Sequence, residues 1–308
     1  MWTKIRQLRR ALWRRIRLGT LRAPRPVATC FTRNGTVAIA YDVRGQGPPL
    51  VLIQGLGIGR WGWDPVADRL ARRFRVITID NRGIGASGVP PGPYSTRAMA
   101  ADVLAVLDDA GVDSAAVVGT SLGGMVAQEL ALSHPDRVDR LVLVAAIPGG
   151  WLTAPMPLKT AYLLTWAPLL ANEVRLRGFV THALGSRTRR RRPEVAERLA
   201  ALRRAHPQSQ HAWRAQATAG VLFDPGGRQR RITQPTLILQ GTADQVVSPA
   251  NGRLLADLIP DTRLQYFEGA GHLLYWDEPK RFVRVVADFL TDRTTWLPGP
   301  ERDVRQTS

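Results

Sequence analysis

The sequence predicts an α/β protein with a mostly parallel central sheet flanked by helices, and two observations carry that prediction. Short continuous apolar runs recur along the chain, as expected of strands buried on both faces of a parallel sheet. The runs are Leu50–Ile53, Phe74–Ile79, Ala115–Val118, Leu141–Val144 and Thr236–Leu239. Amphipathic segments lie between them; residues 96–110, for example, repeat apolar side chains along one helical face before a glycine stop signal. Alternating strands and helices favour this fold class.

The chain divides into parts of different pattern. Residues 28–149 and 231–291 carry the alternation of strands and helices and form the predicted core. Residues 150–230 hold helical stretches and aromatic residues but no clear buried strand, which predicts a helical cap inserted after the sixth core strand. Residues 292–308 contain proline and glycine and a polar end, and predict a disordered tail. Residues 1–27 form a separate basic leader.

The formal net charge of +18 is concentrated in two places. Residues 1–25 contain nine basic residues and no acid, and residues 186–193 hold a second arginine cluster. In the leader, apolar residues recur at helical spacing, so it is either a basic amphipathic helix suited to peripheral contact with an anionic membrane or a disordered segment. No recognition motif or aromatic stacking pattern accompanies the charge, so nucleic-acid binding is not expected.

The expected location is cytoplasmic, with or without peripheral membrane contact. No apolar run reaches the ~18 residues of a membrane span. Arg14, Arg15 and Arg17 interrupt the apolar stretch that a secretory signal requires, so no convincing secretion signal is present. Cys30 is the only cysteine, can form no intrachain disulfide, and is expected to be a small buried apolar residue.

A glycine-flanked serine stands where a strand is expected to turn into a helix. Residues 119–123 read GTSLG and match the pattern G-x-S-x-G directly after the predicted strand Ala115–Val118. A tight turn lifts the hydroxyl of Ser121 clear of the sheet, and side chains at the glycine positions would collide with adjacent backbone. The following helix aims free N–H groups at an oxyanion forming nearby. The pattern predicts a nucleophile at Ser121; an ordinary glycine-rich loop is the alternative.

A serine nucleophile needs a base, and His272 is the best placed of five histidines. It follows the predicted last strand, Arg263–Phe267, in a loop at the sheet edge where α/β proteins present their active sites. A packing or capping role is the alternative. The other four histidines are expected at the surface or facing solvent: His134, His182, His206 and His211.

The predicted third member of the triad is Asp244, which follows the buried strand Thr236–Leu239 and lies at the same end of the sheet. Its carboxylate would orient the imidazole of His272 and stabilise its charged form. An acid that shapes a turn or caps a helix is the alternative. The loop after Leu141–Val144 holds no acid, which favours Asp244. The chain order is Ser, Asp, His.

With these residues in place, the sequence resembles the α/β-hydrolase fold family over residues 28–291. Residues 80–87 read DNRGIGAS and resemble the family's D-x-R-G-x-G-x-S segment, which implies a structural role for this loop. Residues 54–57 read QGLG and resemble the family's His-Gly loop. The departure is Gln54, where many relatives carry histidine; its amide can still hold the loop by hydrogen bonds.

The resemblance implies how an oxyanion would be bound. The backbone N–H groups of Leu56 and Leu122 would form the oxyanion hole. The residues that would support the two loops are Gln54, Gly55, Gly119 and Gly123. The implied chemistry requires neither a metal ion nor an organic cofactor.

The implied activity is that of a serine hydrolase that cleaves a carboxylic ester through an acyl-enzyme intermediate. The aromatic and leucine content of residues 150–230 predicts a lid over an apolar pocket, and hence a small apolar ester or lactone as substrate. A lactonase or carbon–carbon bond hydrolase with the same triad stays open as an alternative. A binding protein on a hydrolase scaffold is the third hypothesis. Acyl length, alcohol, physiological role and oligomeric state are not predicted.

Overall fold

The computed structural model describes residues 27–158, 160 and 172–292, with the side chains of 172–177 excepted. The predicted leader, residues 1–27, and the predicted tail, residues 292–308, lie outside the described residues except for Val27 and Asp292. Their properties stay predictions.

A single sheet organises the described part of the chain. Its eight strands are β1 Cys30–Asn34, β2 Val37–Arg44, β3 Pro49–Ile53, β4 Arg75–Ile79, β5 Ala115–Thr120, β6 Val138–Val144, β7 Thr236–Gly241 and β8 Thr262–Phe267. The spatial order is β1-β2-β4-β3-β5-β6-β7-β8. Only the β1–β2 and β2–β4 pairs are antiparallel. The predicted mostly parallel sheet is confirmed.

The helices of the described residues are numbered here in chain order. Those that flank the sheet are α1 Ala67–Leu70, α2 Thr96–Asp109, α3 Leu122–Ser133, α8 Ala250–Leu258, α9 Leu274–Asp277 and α10 Pro279–Thr291. Those between β6 and β7 are α4 Asn172–Ala183, α5 Ser186–Arg191, α6 Pro193–Ala205 and α7 Gln210–Val221. We call residues 150–230 the insertion.

The core lies on both faces of the sheet, as the continuous apolar runs predict. Along β3, Val51 and Ile53 pack into the cluster beneath α2 and α3, while Leu50 and Leu52 pack into the cluster beneath α10. All four side chains are fully buried. Full burial of one such side chain stabilises a fold by about 1.5–3 kcal/mol. The central strands therefore form a rigid base for the loops at their carboxyl ends.

Two features differ from expectation at the sheet edge. Strand β1 gave no apolar run because it alternates half-buried and exposed residues, as an edge strand does. Cys30 begins this strand and packs against the core, but it is partly rather than completely buried. Among the described helices, none combines the length and the apolar character needed to span a bilayer.

Candidate active site

Ser121 occupies a strained turn between β5 and α3. Its φ of 53° and ψ of −120° lie outside the regions that non-glycine residues ordinarily adopt. Such a conformation costs on the order of 1–3 kcal/mol and persists only where the surroundings enforce it. The N–H of Ser121 donates to the carbonyl of Val144 at 2.9 Å, which fixes the turn to β6.

The flanking glycines allow this turn because backbone passes very close to them. A Cβ at Gly119 would lie 2.2 Å from the carbonyl oxygen of Gly123. A Cβ at Gly123 would lie 2.2 Å from the carbonyl oxygen of Ile53. Both positions therefore exclude any side chain, which is the crowding expected from the sequence pattern.

The hydroxyl of Ser121 faces the loop that follows β3. A Cβ built at Gly55 would lie 3.6 Å from Ser121 Oγ. Ser121 is partly exposed, and its hydroxyl forms no hydrogen bond with any described residue. The hydroxyl is therefore free to bind a proton acceptor or a substrate.

The two amides proposed for the oxyanion hole belong to residues that directly follow Gly55 and Ser121 in the sequence. Leu56 follows Gly55, and Leu122 is the first residue of α3, where helix geometry leaves the N–H without an intrahelical acceptor. Across the described ranges, neither amide donates to another group. The N-terminus of α3 also adds a partial positive charge at this point.

Gln54 is fully buried and anchors the loop after β3. Its Oε1 accepts hydrogen bonds from Gly55 N at 3.3 Å and from the Tyr275 hydroxyl at 3.0 Å. Its carbonyl accepts from Asn81 Nδ2 at 2.8 Å. Burial raises the pKa of Tyr275, so its hydroxyl stays protonated and remains a donor. An amide thus holds the loop where many relatives carry an imidazole.

The insertion also binds this loop. Gly57 N donates to Gln216 Oε1 of α7 at 3.0 Å, and Gln216 Nε2 donates to the carbonyl of Arg82 at 2.7 Å. Arg203 of α6 donates to the carbonyl of Gly57. Gln216 is fully buried, and it was not singled out from the sequence because its partners are more than 130 residues away.

The loop after β4 has the structural role that the resemblance implies. Asp80 accepts from the backbone N–H of Arg60 at 2.7 Å and of Ala86 at 3.0 Å. Arg82 donates to both carboxylate oxygens of Asp102, at 2.6 and 2.7 Å, and this hydrogen bonding raises the pKa of Arg82. These groups brace the backbone beside the site.

Asp244 and His272 form a buried hydrogen-bonded pair. His272 Nδ1 lies 2.9 Å from Asp244 Oδ2. The Asp244 side chain is fully buried, and its Oδ1 accepts from Val246 N at 2.7 Å and from Val247 N at 2.9 Å. Gln240 Nε2 adds a further hydrogen bond to Oδ2 at 3.2 Å. These donors solvate a carboxylate that orients the imidazole through Nδ1 and leaves Nε2 as its free face.

The loops that carry the pair are joined to each other and to the loop beside Ser121. Ala243 N donates to the carbonyl of Ala270 at 2.9 Å, which ties the acid loop to the histidine loop. Tyr275, three residues after His272, reaches Gln54 in the loop beside Ser121. The sequence-predicted residues thus gather at the carboxyl ends of β3, β5, β7 and β8.

The remaining histidines lie elsewhere. His134, His206 and His211 are exposed, as expected, whereas His182 is half-buried with Nδ1 2.7 Å from the carbonyl of Gly178. Within the part of the chain that the structure describes, no group of three or more His, Cys, Asp or Glu side chains could hold a metal ion.

The side chains close to the Ser121 turn are apolar. Leu122, Met125 and Phe223 belong to one buried cluster, with Leu56 packed against it. Helix α7 lies over them, since a Cβ at Gly220 would be 3.6 Å from Leu122 Cδ1. Of the aromatic residues expected in a pocket, Trp151 is 83% exposed and does not line one. Trp213 is half-buried, and Tyr162 and Trp166 lie outside the described residues.

Comparisons with known proteins agree with the fold. The family model described as alpha/beta hydrolase fold matches residues 48–279. A hydrolase from Pseudomonas aeruginosa PA01 superposes with a TM-score of 0.75 at 32% identity, covering 87% of this chain and all of that one. Est816, described as an N-acyl homoserine lactone degrading enzyme, gives a TM-score of 0.74 at 31% identity over 84% of this chain and all of its own. RutD of Azorhizobium caulinodans, described as a proposed carbamate hydrolase, is 31% identical over 84% of this chain and 97% of RutD.

Proposed function

The chain belongs to the α/β-hydrolase fold family and is a hydrolase of that fold, and we propose that it is a serine hydrolase that cleaves a carboxylic ester. The observation that carries the proposal is the buried pair of His272 and Asp244, joined at 2.9 Å, on the sheet edge that also presents Ser121 in its strained turn. No ordinary packing role requires an imidazole and a carboxylate at this point together with an unpaired hydroxyl.

In the first half of the reaction, His272 Nε2 takes the proton of Ser121 and the serine oxygen attacks the ester carbonyl. The carbonyl oxygen becomes an oxyanion that the N–H groups of Leu56 and Leu122 bind. One such donor is typically worth about 2.7–4 kcal/mol of transition-state stabilisation. Asp244 stays ionised and fixes the imidazole tautomer. The alcohol leaves with the proton held by His272, and the acyl group stays on Ser121.

In the second half, water replaces the alcohol. His272 takes a proton from water, the hydroxide attacks the acyl carbonyl, and the same two amides bind the second oxyanion. The carboxylic acid leaves, and Ser121 recovers its proton from His272. Every proton passes through one imidazole, and the residues named supply all the groups that the reaction needs.

The preferred substrate of this proposal is a small apolar ester. The side chains next to the Ser121 turn, Leu56, Leu122 and Met125, offer apolar contact and no charge. Helix α7 covers them, which supports a lid role for the insertion. A lactone is the second candidate, because the whole of Est816 superposes on this chain. A lactone is a cyclic ester and undergoes the same acyl transfer. Carbon–carbon bond cleavage is the remaining alternative with this triad.

A fluorophosphonate probe tests the proposal directly, because it phosphonylates an activated serine. We expect the native chain to be labelled and Ser121→Ala to be silent. Ser133→Ala is the matched control, since that hydroxyl donates to Glu129 O at 2.6 Å at the end of α3 and should not affect labelling. A native chain that resists the probe would instead favour a binding protein on a hydrolase scaffold.

A substrate panel then separates the candidates. Esters of graded acyl length would be measured beside a lactone, a carbamate and a vinylogous diketone, each with native protein and Ser121→Ala. We expect the highest kcat/KM for an ester with an apolar acyl group. Faster turnover of the lactone or the diketone would overturn the ester assignment while keeping the triad.

A further inference from the structure

Asp277 is a buried carboxylate that the proposed reaction does not use. It ends α9, five residues after His272, and is 3% exposed. Its Oδ2 accepts hydrogen bonds from Gly271 N at 2.7 Å and from Gly185 N at 2.9 Å, and its Oδ1 lies 3.2 Å from Gly185 N. Gly271 immediately precedes His272, and Gly185 lies in the insertion between α4 and α5. One side chain therefore joins the histidine loop to the insertion.

The carboxylate is held by backbone amides alone. It forms no ion pair with any side chain that the structure describes. A buried charge without a cation is costly, and it persists where hydrogen bonds replace its hydration. An apolar side chain would fill this buried site at lower cost. The carboxylate therefore indicates a positioning role, which is to hold the N–H groups of Gly271 and Gly185 at a fixed separation.

A second hydrogen bond holds the residue that follows His272. Leu273 N donates to the carbonyl of Ala183 at 2.8 Å. The N–H groups of the two residues that adjoin His272, Gly271 and Leu273, are thus bound to the turn at residues 183–185, the first through Asp277 and the second directly. The backbones approach closely here, since a Cβ at Gly185 would lie 2.3 Å from the carbonyl oxygen of Gly269. Arg192 of the insertion also donates to the Asp277 carbonyl.

We infer that Asp277 is a positioning residue for His272: its carboxylate clamps Gly271 to Gly185, so the insertion holds the base in place for reaction with Ser121. This inference rests on the proposed serine-hydrolase function. It assigns the insertion a second task beside covering the substrate, because movement of the turn at 183–185 is transmitted to the backbone N–H groups of both residues next to His272.

Asp277→Asn tests the clamp with almost no change of volume. An NH2 group in place of Oδ1 would face Gly185 N at 3.2 Å, and in place of Oδ2 it would face both Gly185 N and Gly271 N. In either orientation the hold on Gly185 is weakened. A small misplacement of a catalytic group lowers the rate by up to about a hundredfold. We expect kcat per active site to fall roughly ten- to a hundredfold with KM within about threefold, because substrate contacts are unchanged. Active sites are counted by fluorophosphonate titration, so a partly folded preparation still gives an interpretable rate.

Two further variants separate position from stability. Asp277→Glu keeps a carboxylate acceptor, and its kcat should lie closer to native than that of Asp277→Asn although glutamate is larger. Asp42→Asn removes another buried carboxylate, 5% exposed in β2, which accepts from Thr78 Oγ1 at 2.8 Å. It should unfold at lower urea concentration yet keep native kcat per active site.

The outcomes distinguish this inference from the proposed function. A native chain that no fluorophosphonate labels contradicts the serine hydrolase itself. A native chain that is labelled, beside Asp277→Asn with native kcat per active site, overturns only the positioning role. The positioning role is also overturned if Asp277→Glu is slower than Asp277→Asn, because volume rather than the carboxylate would then explain the loss.

Discussion

The loops that carry Ser121 and His272 meet at one edge of the sheet but are held in different ways. The serine turn is fixed by contacts between backbone atoms of neighbouring elements: Gly123 packs against the end of β3, and Gly119 packs against the first turn of α3. The histidine loop also has backbone contacts, but it depends in addition on side-chain hydrogen bonds of Asp244, Asp277 and Tyr275, which join it to other loops.

The difference teaches that the proposed nucleophile and the proposed base are placed by separate means. Steric exclusion at the serine turn leaves no tolerance, because backbone cannot yield without displacing a central strand. Hydrogen bonds at the histidine loop can be weakened one at a time, and each loss is modest compared with unfolding. Substitutions at the histidine loop should therefore give graded losses of rate, and substitutions at the serine turn should give losses of stability.

The largest effect is expected for Asp244→Asn. The asparagine amide can donate to His272 Nδ1 and hold the wrong tautomer, so that Nε2 is protonated and cannot accept from Ser121. In serine proteases the equivalent change lowers kcat by about 10⁴, and we expect a loss of that order here. The Oδ1 contacts to Val246 N and Val247 N can survive, so the urea midpoint should change little.

The measurement is kcat/KM beside urea unfolding for the same preparation. Asp257→Asn is the control, since that carboxylate is about half exposed and pairs with Arg253 on the surface of α8. If Asp244→Asn keeps activity within tenfold of native, or loses as much stability as rate, the histidine loop is not held as described.

The second-largest effect is expected at the serine turn, for Gly123→Ala. Gly123→Ala adds a Cβ that would lie 2.2 Å from the carbonyl oxygen of Ile53, so β3 or α3 must shift. Overpacking of this kind costs typically about 1–3 kcal/mol of unfolding free energy. Urea denaturation followed by circular dichroism measures the loss. Gly220→Ala is the matched control, because its nearest contact would be 3.6 Å away and helical alanine is favoured by about 0.5–1 kcal/mol. Equal midpoints for the two variants would contradict steric exclusion at the turn.

The smallest effect is expected at the contact that joins the two loops. Tyr275→Phe removes the hydroxyl that donates to Gln54 Oε1. Gly55 N is then the remaining donor to this oxygen. Loss of one neutral hydrogen bond costs about 1 kcal/mol, so we expect kcat to fall by roughly fivefold with KM unchanged. Tyr94→Phe removes a hydroxyl that donates to Pro90 O and is the control. Native kcat in Tyr275→Phe would show that Gln54 needs no support from α9.

The sequence was informative where the signal is local. The serine turn is recognisable within five residues, and each central strand is a continuous apolar run. Both signals depend only on residues that are adjacent in the sequence. Strand β1 gave no such run, since one of its faces meets solvent. The acid and the histidine could be found by their position after a strand.

The supports of the site could not be found that way. Gln216 binds Gly57 across 159 positions and Arg82 across 134, and Asp277 binds Gly185 across 92. No spacing rule connects residues so far apart. Gln216, moreover, lies in a helix whose sequence reads as an ordinary amphipathic segment. Only the packing of the insertion onto the core brings these groups to their partners.

Gln54 gives the molecule a property that a histidine at this position would not. An imidazole gains charge as the pH falls through the physiological range. A loop anchored by an imidazole therefore changes its hydrogen bonds with pH. A glutamine amide carries no titrating proton. Its partner, Tyr275, has its pKa raised by burial and keeps its proton as well. The loop after β3 is therefore anchored by an acid-insensitive contact, and the pH–rate profile should report the proposed triad without interference from this loop.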